Sequence, residues 1–369
     1  MKKLGFGLMR LPTRGGSIDI EQVKTMVDKF IEKGFTYFDT AWMYMNFSSE
    51  NAAKEALVSR YPRESFTLAT KLHNGFFDSL EGRDKVFNEQ LEKTGAGYFD
   101  YYLLHGIDKG SLEKYEKFDC FNWLLDKKSK GLVKHAGFSF HDTADILDDI
   151  LTKHPEMEFV QLQINYLDWE SDWIESRKNY EVCVKHNKPV IVMEPVKGGS
   201  LARLPGEAEK LFHEADPKMS IPSWAIRFTA SLPNVMTVLS GMSSMEQMED
   251  NLSFMENFVP LTEAETELCH KAAHIINSQI AVPCTGCSYC TEGCPKNIAI
   301  PQYFSIYNEI MREDMEKKGW TVSFTNYDIL TKTHGKASDC IACGQCEQMC
   351  PQHLTVIDFL KDVSEKFEH

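Results

Sequence analysis

Two short runs constrain this chain more than any other part of it. CTGCSYCTEGCP occupies residues 284–295 and CIACGQCEQMCP residues 340–351. Both read C-x₂-C-x₂-C-x₃-C-P, so whatever the first run does the chain does twice. Three thiolates at that spacing wrap three corners of an iron–sulfur cubane, because the loop joining them turns tightly around it. The fourth, ahead of proline, points away and ligates the other cluster. The spacing therefore assigns Cys284, Cys287, Cys290 and Cys350 to one [4Fe–4S] cluster. It assigns Cys340, Cys343, Cys346 and Cys294 to a second. Structural zinc is the alternative, since C-x₂-C pairs also build four-cysteine sites. A quartet repeated with its proline is the more specific pattern.

The runs resemble those of two-cluster bacterial ferredoxins. The 45 residues between them, 295–339, depart from the compact members. They include helix-like pieces such as PQYFSIYNEIMREDMEKKG and look more like the helical ferredoxin modules appended to larger redox enzymes. Closing the longer loop costs little extra once clusters form. The remaining cysteines, Cys120, Cys183 and Cys269, are scattered in helix-like segments and read as small buried hydrophobes. Clustering this close, in a long chain whose N-terminus MKKLGFGLMRLP reads as a strand rather than a leader, argues against a disulfide framework and for a cytoplasmic protein.

A net charge of −14 discounts nucleic acid and anionic membrane as partners. No run of about 18 apolar residues suggests a membrane span.

Ahead of the cysteines, short apolar runs alternate with amphipathic stretches. Candidate strands are 5–9, 35–39, 66–70, 100–104, 133–138, 159–163, 190–194 and 236–240. Candidate helices lie around 19–33, 49–60, 81–94, 119–130, 142–153, 172–187, 222–231 and 244–256. In the first helix Val23, Met26, Val27, Phe30 and Ile31 recur at helical spacing, with Asp19 to cap the start and Gly34 the end. Eight strands apolar on both faces, each followed by a helix, predict a closed (β/α)₈ TIM barrel of α/β class. An open doubly wound sheet is the runner-up, but its G-x-G-x-x-G turn after the first strand is absent. One more helix begins near 262 and the alternation then stops. The domain division expected is a barrel over 1–280 and a small, mainly helical ferredoxin-type domain over 281–369.

A barrel places its chemistry at the carboxyl ends of its strands. Asp39 ends the second strand in YFDTAWMY, with Tyr44 five residues on. Lys71 follows the third strand in LATKLHN, and His105 the fourth in YLLHGID. Each alone reads as core or surface packing; together they converge. D-x₄-Y, then T-K-L, then L-L-H, in this order, resembles the aldo-keto reductase family. FDTAWMY followed by SSENAAKEAL is similar to that family's second strand and helix. The resemblance runs over residues 1 to about 260, and the subgroup it most resembles carries a C-terminal ferredoxin domain.

It implies a catalytic tetrad of Asp39, Tyr44, Lys71 and His105. Tyr44 would protonate the oxygen of a carbonyl while a hydride reaches its carbon. A free phenol is a reluctant acid near neutral pH, so Lys71 is expected to lower its pKa, with Asp39 holding the ammonium. His105 would steer and polarise the carbonyl. For NAD(H) or NADP(H), the resemblance implies Gln163 and Ser139 at the carboxamide, and Asn251 at the adenine. Phe140 stands where the family has Asn, and Met193 replaces the stacking aromatic. Gly241 and Gln247 stand where a cationic clamp on the 2′-phosphate is usual, which predicts NADH at least as readily as NADPH, or weak binding altogether. Gly198 and Gly199 in KGG are candidates for backbone donation to a pyrophosphate, with an ordinary tight turn as the alternative.

A nicotinamide moves two electrons and a cubane one, and no flavin signature joins them. Three readings stand. One is a carbonyl reductase using NAD(P)H, with clusters relaying electrons through a mediator. The second is a ferredoxin-linked one-electron reductase that needs no dinucleotide. The third is a non-catalytic electron-transfer or docking protein. Expected partners are a small-molecule carbonyl substrate and a ferredoxin or flavodoxin. Aromatic residues in candidate substrate loops are Phe76, Phe77, Tyr166, Trp169 and Trp173, with surface packing as their alternative.

Overall fold

The computed structural model describes residues 2–171, 174–278, 280–312 and 322–368. Trp173, one of the loop aromatics, lies outside them. Eight strands follow one another: β1 Leu4–Gly7, β2 Tyr37–Asp39, β3 Thr67–His73, β4 Phe99–Ile107, β5 Val133–Phe140, β6 Phe159–Gln163, β7 Val190–Met193 and β8 Val235–Gly241. They close in sequence order, every neighbouring pair parallel, into the barrel the alternation predicts. Inside, Tyr37, Ala69, Leu103, Phe159, Ile191 and Leu239 form one buried layer. Outside, alternate strand residues such as Phe38, Leu68 and Leu72 meet the helices in a second, larger core. Burial on both faces is why the strands read as continuous apolar runs.

β3 and β4 run further than the sequence suggests. Lys71 and His105 lie within them rather than after them, His73 opposite His105 in register. A strand residue has a fixed side: with Tyr101 and Leu103 facing in, His105 does too. Among the described residues the structure adds a two-stranded hairpin, Thr13–Arg14 with Ser17–Ile18. It also adds helices over Lys109–Lys117 and Gly206–Ala215 that the apolar pattern does not announce.

Backbone contacts divide the chain into two units, Met1–Val196 with Lys218–Cys269, and Lys197–Pro217 with His270–His369. The continuous part of the second unit therefore starts eleven residues before the expected 281, and the unit also takes in the excursion Lys197–Pro217 from the barrel sequence. Helices Ile300–Arg312, Val322–Leu330 and Val356–Phe367 pack around Tyr303, Phe304, Ile310, Tyr327, Leu360 and Val363. Residues 313–319 of the helix-like piece fall outside the described residues. The first cysteine run lies against the second. A Cβ on Gly293 would fall within 2 Å of the Gln345 side-chain amide, so a larger residue there would push that flexible end aside. No helix among the described residues is long and apolar enough to cross a membrane.

Candidate active site and cysteine cavities

Parallel closure brings Asp39, Lys71 and His105 to one end of the barrel. Lys71 Nζ donates to Asp39 Oδ1 at 2.5 Å and to the Thr40 carbonyl at 2.8 Å, with both charged side chains essentially excluded from solvent. Burial pushes the Asp39 carboxyl up and the Lys71 ammonium down, and the ion pair opposes both shifts. Lys71 Nζ also lies 5.0 Å from the centre of the Tyr44 ring. The Tyr44 ring meets the His105 ring edge-on at 5.9 Å, and His73 meets His105 at 5.4 Å. All four residues singled out in the sequence thus gather in one place.

The electrostatics of Tyr44 differ from expectation. Its phenol is pushed well above the ordinary value, first by burial and then by the carboxylates of Asp39 and Glu194. The expected lowering by Lys71 does not prevail, because the ammonium is spent on Asp39 and lies against the ring face. His105 is pushed far down by burial and by His73, Lys71 and His141, so it is neutral. Asp39 Oδ2 and His105 Nδ1 are buried and have no hydrogen-bond partner among the described residues. Capacity for a polar ligand is therefore left at this mouth.

Several residues shaping the site were missed in the sequence. Glu50 is fully buried; it accepts from Thr70 Oγ1 and Gln90 Nε2, both at 2.8 Å, and pairs with Lys93 at 3.2 Å. Gln90 Nε2 also donates to the Lys71 carbonyl at 3.0 Å. This network fixes β3 from behind at the residue that carries the ammonium. Tyr44 is followed by Met45, Asn46 and Phe47, all with left-handed backbone (φ +52°, +50° and +64°). The turn sets Phe47 against Phe76 at 5.5 Å, and Phe76 against His73 at 5.5 Å, an aromatic wall leading to His105. Of the other loop aromatics, Phe77 and Tyr166 are buried, and Trp169 packs on Tyr180 and Phe228.

The residues named for a dinucleotide divide. Ser139, Gln163, Met193 and Gly241 lie at or next to the carboxyl ends of β5, β6, β7 and β8, the same mouth as the tetrad. Ser139 Oγ accepts from Gly106 N at 2.7 Å, and Gln163 Nε2 donates to Asp168 Oδ2 at 3.1 Å. Phe140 is buried. On the helix Met245–Met255, Asn251 Nδ2 donates to Ser240 Oγ at 2.8 Å, and Gln247 Oε1 accepts from Ser243 N at 2.7 Å. Arg10 is the cation whose stem covers Gly241. Gly198 and Gly199 belong to the second unit, and Gly198 faces the first cysteine loop rather than open space.

In the second unit Cys284, Cys287, Cys290 and Cys350 line one narrow cavity with Ile300, Phe304 and Leu354. Cys294, Cys340, Cys343 and Cys346 line another with Ile298, Ile357 and Leu360. Each quartet takes three cysteines from one run and the fourth from the other. Apolar walls around four thiols fit a cubane's donor set. Among the described residues no group of three or more His, Cys, Asp or Glu closes round a single metal ion. Cys120, Cys183 and Cys269 are buried elsewhere; burial pushes the Cys120 thiol up to about 11 and Cys269 up to about 12.

The sequence matches the Aldo/keto reductase family over residues 3–274 and the 4Fe-4S dicluster domain over 283–355. It is 24% identical over 292 residues to the uncharacterized oxidoreductase YqkF of Bacillus subtilis (strain 168), covering 72% of this chain and 90% of that protein. It is 24% identical over 270 residues to L-galactose dehydrogenase of Arabidopsis thaliana, covering 68% and 83%. In fold it is similar to an aldo-keto reductase from Bacillus halodurans in its holo form (TM-score 0.58, 24% identity, 73% of this chain and 91% of that one). It is also similar to an aldo/keto reductase from Klebsiella pneumoniae in complex with NADP and acetate (TM-score 0.59, 17% identity, 74% and 91%).

Proposed function

The chain belongs to the aldo/keto reductase family and continues into a 4Fe-4S dicluster domain, and from that premise we propose that it reduces a carbonyl substrate with Tyr44 as the proton donor. It is an oxidoreductase; the substrate class, the acid and the cofactors are the proposal. The observation that carries it is the gathering of Asp39, Tyr44, Lys71 and His105 at one strand-end mouth, with buried polar capacity left over.

A reduced nicotinamide bound there would supply hydride, and two [4Fe–4S] clusters in the cysteine quartets would supply one-electron transfer. This chain's own residues do the rest. Tyr44 O–H donates to the carbonyl oxygen and gives up its proton as negative charge develops there. Neutral His105 orients the same oxygen, and its neutrality avoids competing as an acid. Lys71, held by Asp39, packs its ammonium against the Tyr44 ring and fixes where the phenol sits. Gln163, braced by Asp168, and Ser139 are the proposed carboxamide partners. Neither Gly241 nor Gln247 itself supplies a cation for a 2′-phosphate, so NADH is proposed to serve at least as readily as NADPH. The Bacillus halodurans and Klebsiella proteins lend support for the fold only.

Phe140, buried where the family has Asn, and Met193, where it has an aromatic, favour a second reading, in which electrons arrive singly from a ferredoxin or flavodoxin partner and no dinucleotide is needed. One anaerobic experiment separates the two. NADH or NADPH, added separately, bleaches the visible cluster absorbance and supports turnover under the first reading. Only dithionite or reduced ferredoxin does so under the second. Under both, Tyr44→Phe loses about 10²–10⁴-fold in kcat with iron content unchanged. Full activity in that variant would sink both.

A further inference from the structure

Lys197 stands in an odd place for a lysine. It is 3% exposed, and its backbone is left-handed (φ +46°), as are those of Gly198 (+64°) and Gly199 (+103°). L side chains disfavour that conformation, so something must hold it. Two contacts within the second unit do so. Lys197 Nζ donates to Gln352 Oε1 at 2.9 Å, both residues being buried. A Cβ on Gly198 would lie 2.3 Å from the Thr285 carbonyl, so the turn's backbone rests on the residue that follows Cys284. Gln352 and Thr285 both line the cavity of Cys284, Cys287, Cys290 and Cys350. Lys197 thus stands behind that lining, bonded to it through Gln352. The lysine that lines the other cavity, Lys296, is exposed, and so is its ligand Cys343.

We propose that Lys197, aimed by Gln352, raises the reduction potential of the cluster held by Cys284, Cys287, Cys290 and Cys350 above that of its neighbour. The inference rests on the reading that the two quartets hold two clusters. Accepting one electron makes a cluster more negative by one charge. A buried ammonium beside it favours the reduced state, and low local dielectric preserves the effect. Water screens the same charge at Lys296. Electrons reaching the more exposed cluster would then run on to the one beside Lys197. Lys197 is a positioning residue here, acting on the cluster through charge and not on substrate.

The test is a redox titration of holoprotein followed by electron paramagnetic resonance, with iron and sulfide measured on each sample. In Lys197→Met one of the two midpoint potentials is expected to fall by a factor of ten or more in the reduction constant, about 59 mV for one electron. The other stays in place, and Lys197→Arg restores the first. Two unmoved potentials, or two that move together, overturn the proposal. If Lys197→Met does not assemble, Gln352→Leu decides on the same criterion with a smaller shift in the same direction. Loss of iron in all three variants overturns it in favour of a purely structural pin. Wild-type protein without about eight irons strikes down the two-cluster reading itself, a separate outcome.

Discussion

The barrel mouth and the cysteine module hold their reactive groups by opposite means. Asp39, Lys71 and His105 are fixed by strand register, a buried ion pair and the Glu50–Gln90 network behind β3, all within the polypeptide. The two cysteine quartets are each drawn from runs 45 residues apart, on loops and short pieces such as Ala337–Asp339 and Gln345–Gln348, with helices Ile300–Arg312 and Val356–Phe367 adding only apolar walls. On the proposed reading, one site is built before a dinucleotide would arrive; the other would be built by its clusters, since binding energy at such a centre is folding energy. The largest expected effect follows from that difference. Cys290→Ala should cut iron from about eight to about four or fewer per chain, the expected loading of two cubanes. It should also make the second unit protease-sensitive, while the barrel's thermal transition stays where it was. Unchanged iron, or a barrel that melts together with the module, would break the comparison.

That contrast also explains what the sequence made legible. A strand buried on both faces must be apolar throughout, so β1 to β8 appear within a few residues of their true ends, and β6 matches at both ends. The cysteine spacing carries its own geometry, and the cavities group the quartets as the spacing assigns them. Glu50 shows what pattern alone leaves unsaid. It sits at helical spacing from Ala53 and Leu57, a charge on an apolar stripe, which marks a buried carboxylate but not its partners Thr70 and Gln90. Helix Lys109–Lys117 stayed hidden because KGSLEKYEK shows too few apolar positions for a periodic signal. Lys197 gives no signal of its own in the sequence, because its partner Gln352 lies 155 residues away. The direction of the Tyr44 shift comes first from burial and then from Asp39 and Glu194, an enclosure that no local spacing reveals.

A second prediction sharpens the barrel side. Lys71→Met leaves the Asp39 carboxylate buried without its cation, and breaking such a pair typically costs about 3–5 kcal/mol. Denaturant unfolding of the barrel should show a loss of that order, with cluster content unaffected. A loss below about 1 kcal/mol would mean that Asp39 takes up a proton and the pair is not held as charges. The site would then be less preformed than its geometry implies.

The smallest expected effect lies where the barrel sequence is about to hand over to the second unit, at Glu194, three residues before Lys197. The proposed reduction requires Tyr44 protonated. Burial, Asp39 and Glu194 raise its pKa well above the ordinary 10.0, so the proton is retained across the working range and the basic limb of kcat/KM lies beyond pH 10. On the acid side, burial keeps His105 neutral to well below its ordinary 6.5. The reduction rate should therefore be flat between those two values, and the reverse oxidation, which needs the phenolate, should rise with pH. Glu194→Gln removes one negative charge facing the phenol. It should bring the basic limb down by less than about one pH unit, roughly 1.4 kcal/mol of interaction, and speed the oxidation slightly. Measured in the free enzyme with a slowly reacting substrate, a wild-type limb near neutrality would mean that Lys71 governs Tyr44 after all. The barrel mouth would then rest on an ammonium that its ion pair has not used up.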